Sequence, residues 1–348
     1  MPEETEYIYR VKDAKSARRI YDSIWEGDRE RQRKRGKVRA QLEGAPPFNT
    51  KTLAERGELW RTNHNFRDTE SAANRAELPF WEAIHRVPNT ISPKIQSDSP
   101  ESEKWNAGLA KAFDRFLRKW GAAYVSNFGQ MAREYVRFGI GLPRWEQKEE
   151  ARWVSEEGTD IMWPKDTPTD MDRWEVMAIR HEMSPSELLK RHKQAQKADS
   201  FWDADMTKEA IMLSKSSMGQ QQQSSNEADW NAIQDEITNN DLVSTVVWPN
   251  LKLVTLLVKE DNGDVGEYTI VRQAPASNRT DSVDKFLFRR TGHYKKFSEA
   301  VGPIFWGSGT KKIHAVKGFA IRNFGLGTLM DKTKCRIIDG GTLAMGMN

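Results

Sequence analysis

The stretch Trp105–Glu146, WNAGLAKAFDRFLRKWGAAYVSNFGQMAREYVRFGIGLPRWE, decides the fold. Trp105, Leu109, Phe113, Phe116, Trp120, Tyr124, Phe128, Met131, Tyr135 and Phe138 follow one another in steps of three and four. That spacing sets them on one stripe of an α-helix. Ser99-Pro100-Glu101 supplies a cap and a proline at the first helical position, and FGIGLP supplies the stop. Unbroken, such a helix is about 50 Å long at ~1.5 Å per residue; Gly121 and Gly129 are where it could break. An aromatic stripe of this spacing is read as core, not as a platform for stacking bases.

Upstream, residues 1–95 read as short helices separated by breakers. Ile20, Tyr21, Ile24 and Trp25 share one stripe, and GAPPFN (44–49) ends the pattern. Further helical patterns run through Leu53, Leu59, Trp60 and Phe66, and then through Ala72, Ala76, Phe80, Trp81 and Ile84, with a kink or restart expected at Pro79. Between the first two lies DRERQRKRGKVRAQLEG (28–44). Its basic run is Arg29, Arg31, Arg33, Lys34, Arg35, Lys37 and Arg39, against Glu30. No large apolar residue falls between Gly27 and Val38, so a helix through the run is expected to bury no face there.

Downstream, RWVS, DIMWP and WEVMAIR read as short strands, and Ser184-Pro185 with Glu187 opens a capped helix. Residues 214–229 are low in complexity and read as a mobile loop. From Leu242 the text turns to strands, with a type I′ hairpin expected at Asn262-Gly263. KFLFRR is a further strand, and the tail from Phe319 returns to a helical pattern before glycine-rich text. The sum is an α+β chain: a mainly helical N-terminal part with a long central helix, followed by a β-rich segment. It divides into 1–95 (helical), 96–213 (long helix, then strand–loop–helix), 214–235 (low complexity), 236–292 (β-rich) and 293–348 (basic strand–loop–helix).

The hydrophobic residues make up 37% and the charged ones 30%, and the mean hydropathy is −0.76. So much solvated surface suits an assembling protein better than a compact enzyme. A single cysteine, Cys335, excludes an internal disulfide framework and a multi-cysteine zinc site. No secretory leader and no apolar run of membrane-spanning length are present, which predicts a soluble, intracellular protein. The net charge of +4 is unevenly spread: Lys285–Arg336 holds twelve Lys and Arg against Glu299 and Asp331. Such asymmetry points to a polyanion or to an acidic neighbour.

Motifs of catalysis fail on inspection. GPIFWGSG has the glycine spacing of a P-loop, but Ser308 stands where the phosphate-binding lysine is required. GLGTLM places Met330 at the third Rossmann glycine. HEMSP begins as a zinc-protease helix does, but Pro185 replaces the second histidine. His64, His85, His181, His192, His293 and His314 are scattered. No catalytic, cofactor-binding or metal-binding residue is assigned, although carboxylates brought together by folding would support an enzyme.

Several stretches together resemble the portal (head–tail connector) proteins of tailed bacteriophages, above all those of short-tailed phages. SARRIYDSIWEGDRERQRKRGKVRAQLEGAPPFN and LAERGELWRTNHNF resemble their opening helices. The 105–146 stretch resembles the long helix that leads through a glycine turn into a strand. DIMWPKDTPTDMDRWEVMAIRHEMSPSELLKRH resembles the strand–loop–helix that follows. HYKKFSEAVGPIFWGSGTKKIHAVKGFAIRNF resembles the wing strand, glycine-rich loop and helix. The resemblance covers most of the chain and rests on the order of the pieces. It implies wing, stem and clip architecture, with 242–290 a candidate for part of the clip and stem, and a chain that continues beyond this length. It implies a homo-oligomeric ring, commonly of twelve subunits, at one capsid vertex of the virion, made in the host cytoplasm. Double-stranded DNA would pass through it; terminase, capsid and tail adaptor proteins would dock on it; neither membrane nor cofactor is involved.

Within that reading, Lys311, Lys312 and Lys317, in the glycine-flanked loop GSGTKKIHAVKG, are the candidates to face DNA. The Arg29–Arg39 run is assigned to a partner or inter-subunit helix. The alternative is a sequence-independent nucleic-acid-binding protein that uses the 29–39 run as its arm.

Overall fold

The computed structural model describes residues 9–86, 100–147, 152–158, 160–196, 200–216, 250–272, 285–307 and 311–346. The chain is α+β and forms two compact units, each discontinuous in sequence: Met1–Arg29 with Asp160–Ala300, and Glu30–Thr159 with Val301–Asn348. The first unit joins the start of the chain to its middle, and the second joins residues 30–159 to the stretch from Val301 on. Residues 217–249, which hold the low-complexity stretch from 217 on and the start of the expected strand region, lie outside the described residues. The first residues of that stretch, 214–216, close a helix (Ala204–Ser216) where a loop was expected.

In the first unit, β3 (Ile161–Met162), β4 (Val176–Met183), β5 (Leu251–Lys259), β6 (Val265–Val271) and β7 (Phe288–Tyr294) form one antiparallel sheet in that order. Strand periodicity sends Val254, Leu256 and Val258 of β5 to one face. There, with Tyr268 and Ile270, they meet Ala14, Ala17, Tyr21 and Ile24 of α1 (Ala14–Leu42). Leu251 and Leu253 point the other way, into a cluster with Leu188 and Leu189 of α5 (Pro185–Ala195) and Met206, Ala210 and Ile211 of α6 (Ala204–Ser216). Both faces of β5 are covered, which is why LKLVTLLVK is apolar almost throughout instead of alternating. Two guanidinium groups lie over the Trp25 ring, those of Arg180 (4.8 Å) and Arg272 (5.7 Å). Ser184 caps α5 by accepting a hydrogen bond from the Glu187 N–H (3.3 Å), as the sequence predicts.

The β5–β6 hairpin falls at Asn262-Gly263, but its turn is not type I′. Only Gly263 has positive φ (86°). The Gly263 N–H donates to Glu260 O (2.8 Å) and the Asp264 N–H to Asn262 Oδ1 (2.9 Å). This is the longer hairpin loop in which a turn is followed by a left-handed glycine.

The second unit gathers α2 (Thr50–Glu55), α3 (Asp68–Arg86) and α4 (Pro100–Phe138). With them stand the antiparallel strands β2 (Arg152–Glu156), β1 (Ile140–Gln147) and β8 (Ile304–Phe305). The short helix Phe297–Ala300 (α7) belongs to the first unit, and the last helix, Phe319–Gly346 (α8), to the second. The helix α4 runs unbroken through Gly121 and Gly129, and α3 through Pro79. The pattern around Leu53–Phe66 yields only the single short α2, closed by Gly57 at positive φ. Val38, Leu42, Ala73, Phe138, Ala320 and Ile321 form the core.

The turn from α4 into β1 is made by Gly139 (φ 90°). It lies backbone to backbone against Gly318, at the entry to α8. A Cβ on Gly318 would stand 2.3 Å from the Gly139 nitrogen, and one on Gly139 would stand 2.6 Å from the Gly318 nitrogen. Neither position can carry a side chain.

Candidate functional site

The basic run corrects one expectation: it lies in the middle of a single 29-residue helix, α1, and it does bury a face. Gln32, Arg35, Val38 and Leu42 recur at helical spacing with 7%, 1%, 0% and 4% exposure. The face is polar where a helix is ordinarily apolar, so apolar periodicity cannot reveal it.

Its partners come from α4 and from the turn after β2. Arg35 Nη1 donates to Gly158 O at 2.6 Å and Nη2 to Phe138 O at 3.5 Å. Arg39 bridges two carboxylates, Glu134 Oε1 at 3.2 Å and Glu157 Oε2 at 2.5 Å. The second oxygen of Glu134 accepts from the Gly158 N–H at 2.8 Å. One layer away, Glu77 of α3 receives Arg137 Nε at 2.5 Å and faces Arg133 at 3.8 Å. Folding therefore does bring carboxylates together, but each is matched to a guanidinium. Glu134 has both oxygens engaged, which makes it a clamp joining α1, α4 and the β2 turn. An open cleft of about 440 Å³ adjoins the clamp, lined by Glu43, Trp81, Gln130, Arg133 and Arg137.

Burial pushes the Glu134 carboxyl above the usual carboxylate range, a rise that Arg39, the Gly158 N–H and Arg35 only partly offset. The folded state thus holds this proton to higher pH than the unfolded chain does. The stability linked to it is complete below the ordinary carboxylate pKa and is lost as pH rises through the folded value. Relative to Glu134→Gln, the wild type should become progressively less stable across that interval, as measured by urea unfolding at a series of pH values. A difference that instead grows in favour of the wild type as pH rises would refute the assignment.

The other residues of the run divide plainly. Arg33, Lys34 and Lys37 are exposed, Arg31 is half-buried, and Arg29 is exposed beside Glu26 (3.6 Å). Arg35 and Arg39 are thus committed within the chain. Arg29, Arg33, Lys34 and Lys37 are the part of the run that presents charge to solvent.

Lys311, Lys312 and Lys317 all stand exposed, around a short 3-10 turn (Ile313–Ala315) between β8 and α8. Residues 308–310 of that loop lie outside the described residues; its 311–318 part does not project freely. Ile313 (0%) and Val316 (3%) anchor it in the core, and Gly318 serves the contact with Gly139. Three other cations of the basic segment are paired: Arg290 with Glu267 (2.7 Å), Lys295 with Asp264 (2.7 Å), and Lys334 with Asp68.

Among the described residues, no group of three or more His, Cys, Asp or Glu is arranged to hold a metal ion, and no helix is long and apolar enough to cross a membrane. No family model matches the chain, and no curated protein matches it.

Proposed function

We propose that this chain is the subunit of a closed ring of the portal, or head–tail connector, kind. In that role it conducts double-stranded DNA at a capsid vertex of a tailed phage and offers docking faces to terminase, capsid and tail adaptor proteins. The observation that carries the reading is the Gly139–Gly318 contact. It joins two of the stretches that resemble portal proteins, although they lie far apart in the chain. The long helix, its glycine turn and the following strand meet Ile304–Phe305 and the helix Phe319–Gly346 within the second unit, with Ile140 paired to Phe305 and Gly141 to Ile304. The start of that second stretch, through Ala300, belongs to the first unit.

Ring closure requires two different faces on each subunit. The helix α8 supplies a strong candidate for one. Leu326 (59%), Leu329 (61%), Ile337 (68%) and Met345 (79%) are exposed on it, while Ile321 and Cys335 on the same helix are buried. A helix apolar on both sides is a helix meant to be covered, and in this reading a neighbouring subunit covers it. Lys311, Lys312 and Lys317 remain the proposed channel contacts, repeated around the axis by symmetry. Their number must be small, because each phosphate neutralised adds to affinity and a conduit cannot act as a clamp.

Negative-stain images of the purified chain should show rings with a central hole. The double variant L329E/I337E should weaken assembly by on the order of a hundredfold or more, as burying two charges at an interface core implies. A chain that stays monomeric at every concentration would end this reading.

A further inference from the structure

An open depression of about 510 Å³ on the first unit combines exposed cations with aromatic rings from three separated segments. Lys12 comes from the residues before α1, Phe201 and Trp202 from the loop before α6, and Lys285, Phe286 and Arg289 from the approach to β7. All three cations are exposed, and Phe201 is 52% exposed.

The loop is fixed to the strand. The Arg289 N–H donates to Phe201 O (3.1 Å) and the Asp203 N–H to Leu287 O (3.0 Å), with Trp202 bridged to Phe288. Phe288 also meets the Phe201 ring at 6.2 Å and 63°. The two acids of the depression are turned to other work. Asp13 Oδ1 accepts from the Ser16 N–H (2.6 Å), and Asp203 Oδ1 accepts from the Met206 N–H (2.9 Å), each capping a helix start. The depression sets three cations against these two carboxylates. Arg289 also lies over the Tyr268 and Phe286 rings at 5.9 Å, and Arg290 stands 6.0 Å from the Phe201 ring centre. What the shelf offers a ligand is an exposed ring on a backbone-fixed loop, with a cationic rim.

We propose that this shelf binds single-stranded nucleic acid, with an unpaired base stacked on Phe201 and the neighbouring phosphates held by Lys12, Lys285 and Arg289. A duplex does not fit this chemistry, because its base faces are already stacked. Unpaired bases of any identity present a π-face, and a cationic rim tracks the backbone. The site shares no residue with the proposed channel lysines and does not rest on ring formation.

The experiment is fluorescence anisotropy of the full chain with a short labelled oligothymidylate. Oligouridylate serves as a second probe, and a duplex of the same length and polyglutamate serve as competitors. Phe201→Ala should weaken binding roughly fivefold to a hundredfold, the range for losing one base–aromatic stack, while Phe201→Trp should restore it. Lys285→Gln and Arg289→Gln should each make the log–log salt dependence shallower by about 0.7, the value for one single-strand phosphate contact. Tighter binding of one oligomer over the other identifies DNA or RNA as the natural source. Unchanged affinity in Phe201→Ala, or equal competition by duplex or polyglutamate, would overturn the proposal. Phe201 is exposed, so an unaltered melting curve is expected to show that this variant folds.

Discussion

Gly318→Ala should destabilise the second unit by at least about 3 kcal/mol, the upper range for a forced overpacking that the backbone must absorb. The new methyl would lie 2.3 Å from the Gly139 nitrogen and 2.7 Å from the Arg137 carbonyl oxygen. All the obstructing atoms are main chain, so no rotamer change relieves the clash. Gly139 cannot yield, because it holds φ at 90° to turn α4 into β1. The expected fall in melting temperature is roughly 6–12 °C for a unit of this size. Gly325→Ala, at a helical position with nothing within 4 Å, is the control. It should be neutral or gain up to about 1 kcal/mol from helix propensity. Equal behaviour of the two variants in differential scanning calorimetry would show that the Gly139–Gly318 contact is not tight.

Arg35→Met should cost about 3–5 kcal/mol, whereas Arg33→Met, two residues away, should change stability by no more than ~0.5 kcal/mol. Arg35 is 1% exposed and Arg33 is exposed. Removing the buried guanidinium strips Gly158 O of its 2.6 Å donor and takes positive charge from beside the buried Glu134. Methionine fills much of the volume but replaces none of the charge or hydrogen bonds. Urea denaturation of both variants decides the point. Comparable losses would mean that position within the run is irrelevant, and comparable neutrality would mean that the Arg35 hydrogen bonds are worth little.

How far the sequence could be read follows from where the forces lie. The helix α4 was legible because its repeat is its own, but the stripe read as core is buried only toward its end. Met131 and Phe138 are buried, Trp105 (67%) and Leu109 (37%) are exposed, and the side chains of Phe113, Phe116 and Trp120 lie outside the described ones. The Ser184 cap and the Asn262-Gly263 hairpin were legible because their hydrogen bonds close within a few residues. The middle of α1 was not, since its buried face depends on Gly158 and Glu134 (|i−j| of 123 and 95). A run of arginines looks the same whether carboxylates await it or water does. The role of Gly318 was likewise hidden: a glycine beside lysines suggests a free loop, while its use is a close approach to a residue far back in the chain. The Phe201 shelf left only half a signal, Lys285 and Arg289 within the basic segment, because its ring and its third cation come from elsewhere.

The interleaved make-up of the two units bears on how the polypeptide is born. Met1–Arg29 cannot finish its unit until Asp160–Ala300 has been translated, a wait of some tens of seconds at about 5–20 residues per second. During that wait Tyr21 and Ile24, later sealed beneath β5 and β6, have no sheet to cover them. The second unit stays open longer still, until β8 and α8 emerge. The first unit can therefore close before the second, and the nascent chain should lean on holding chaperones until residues 301–348 appear.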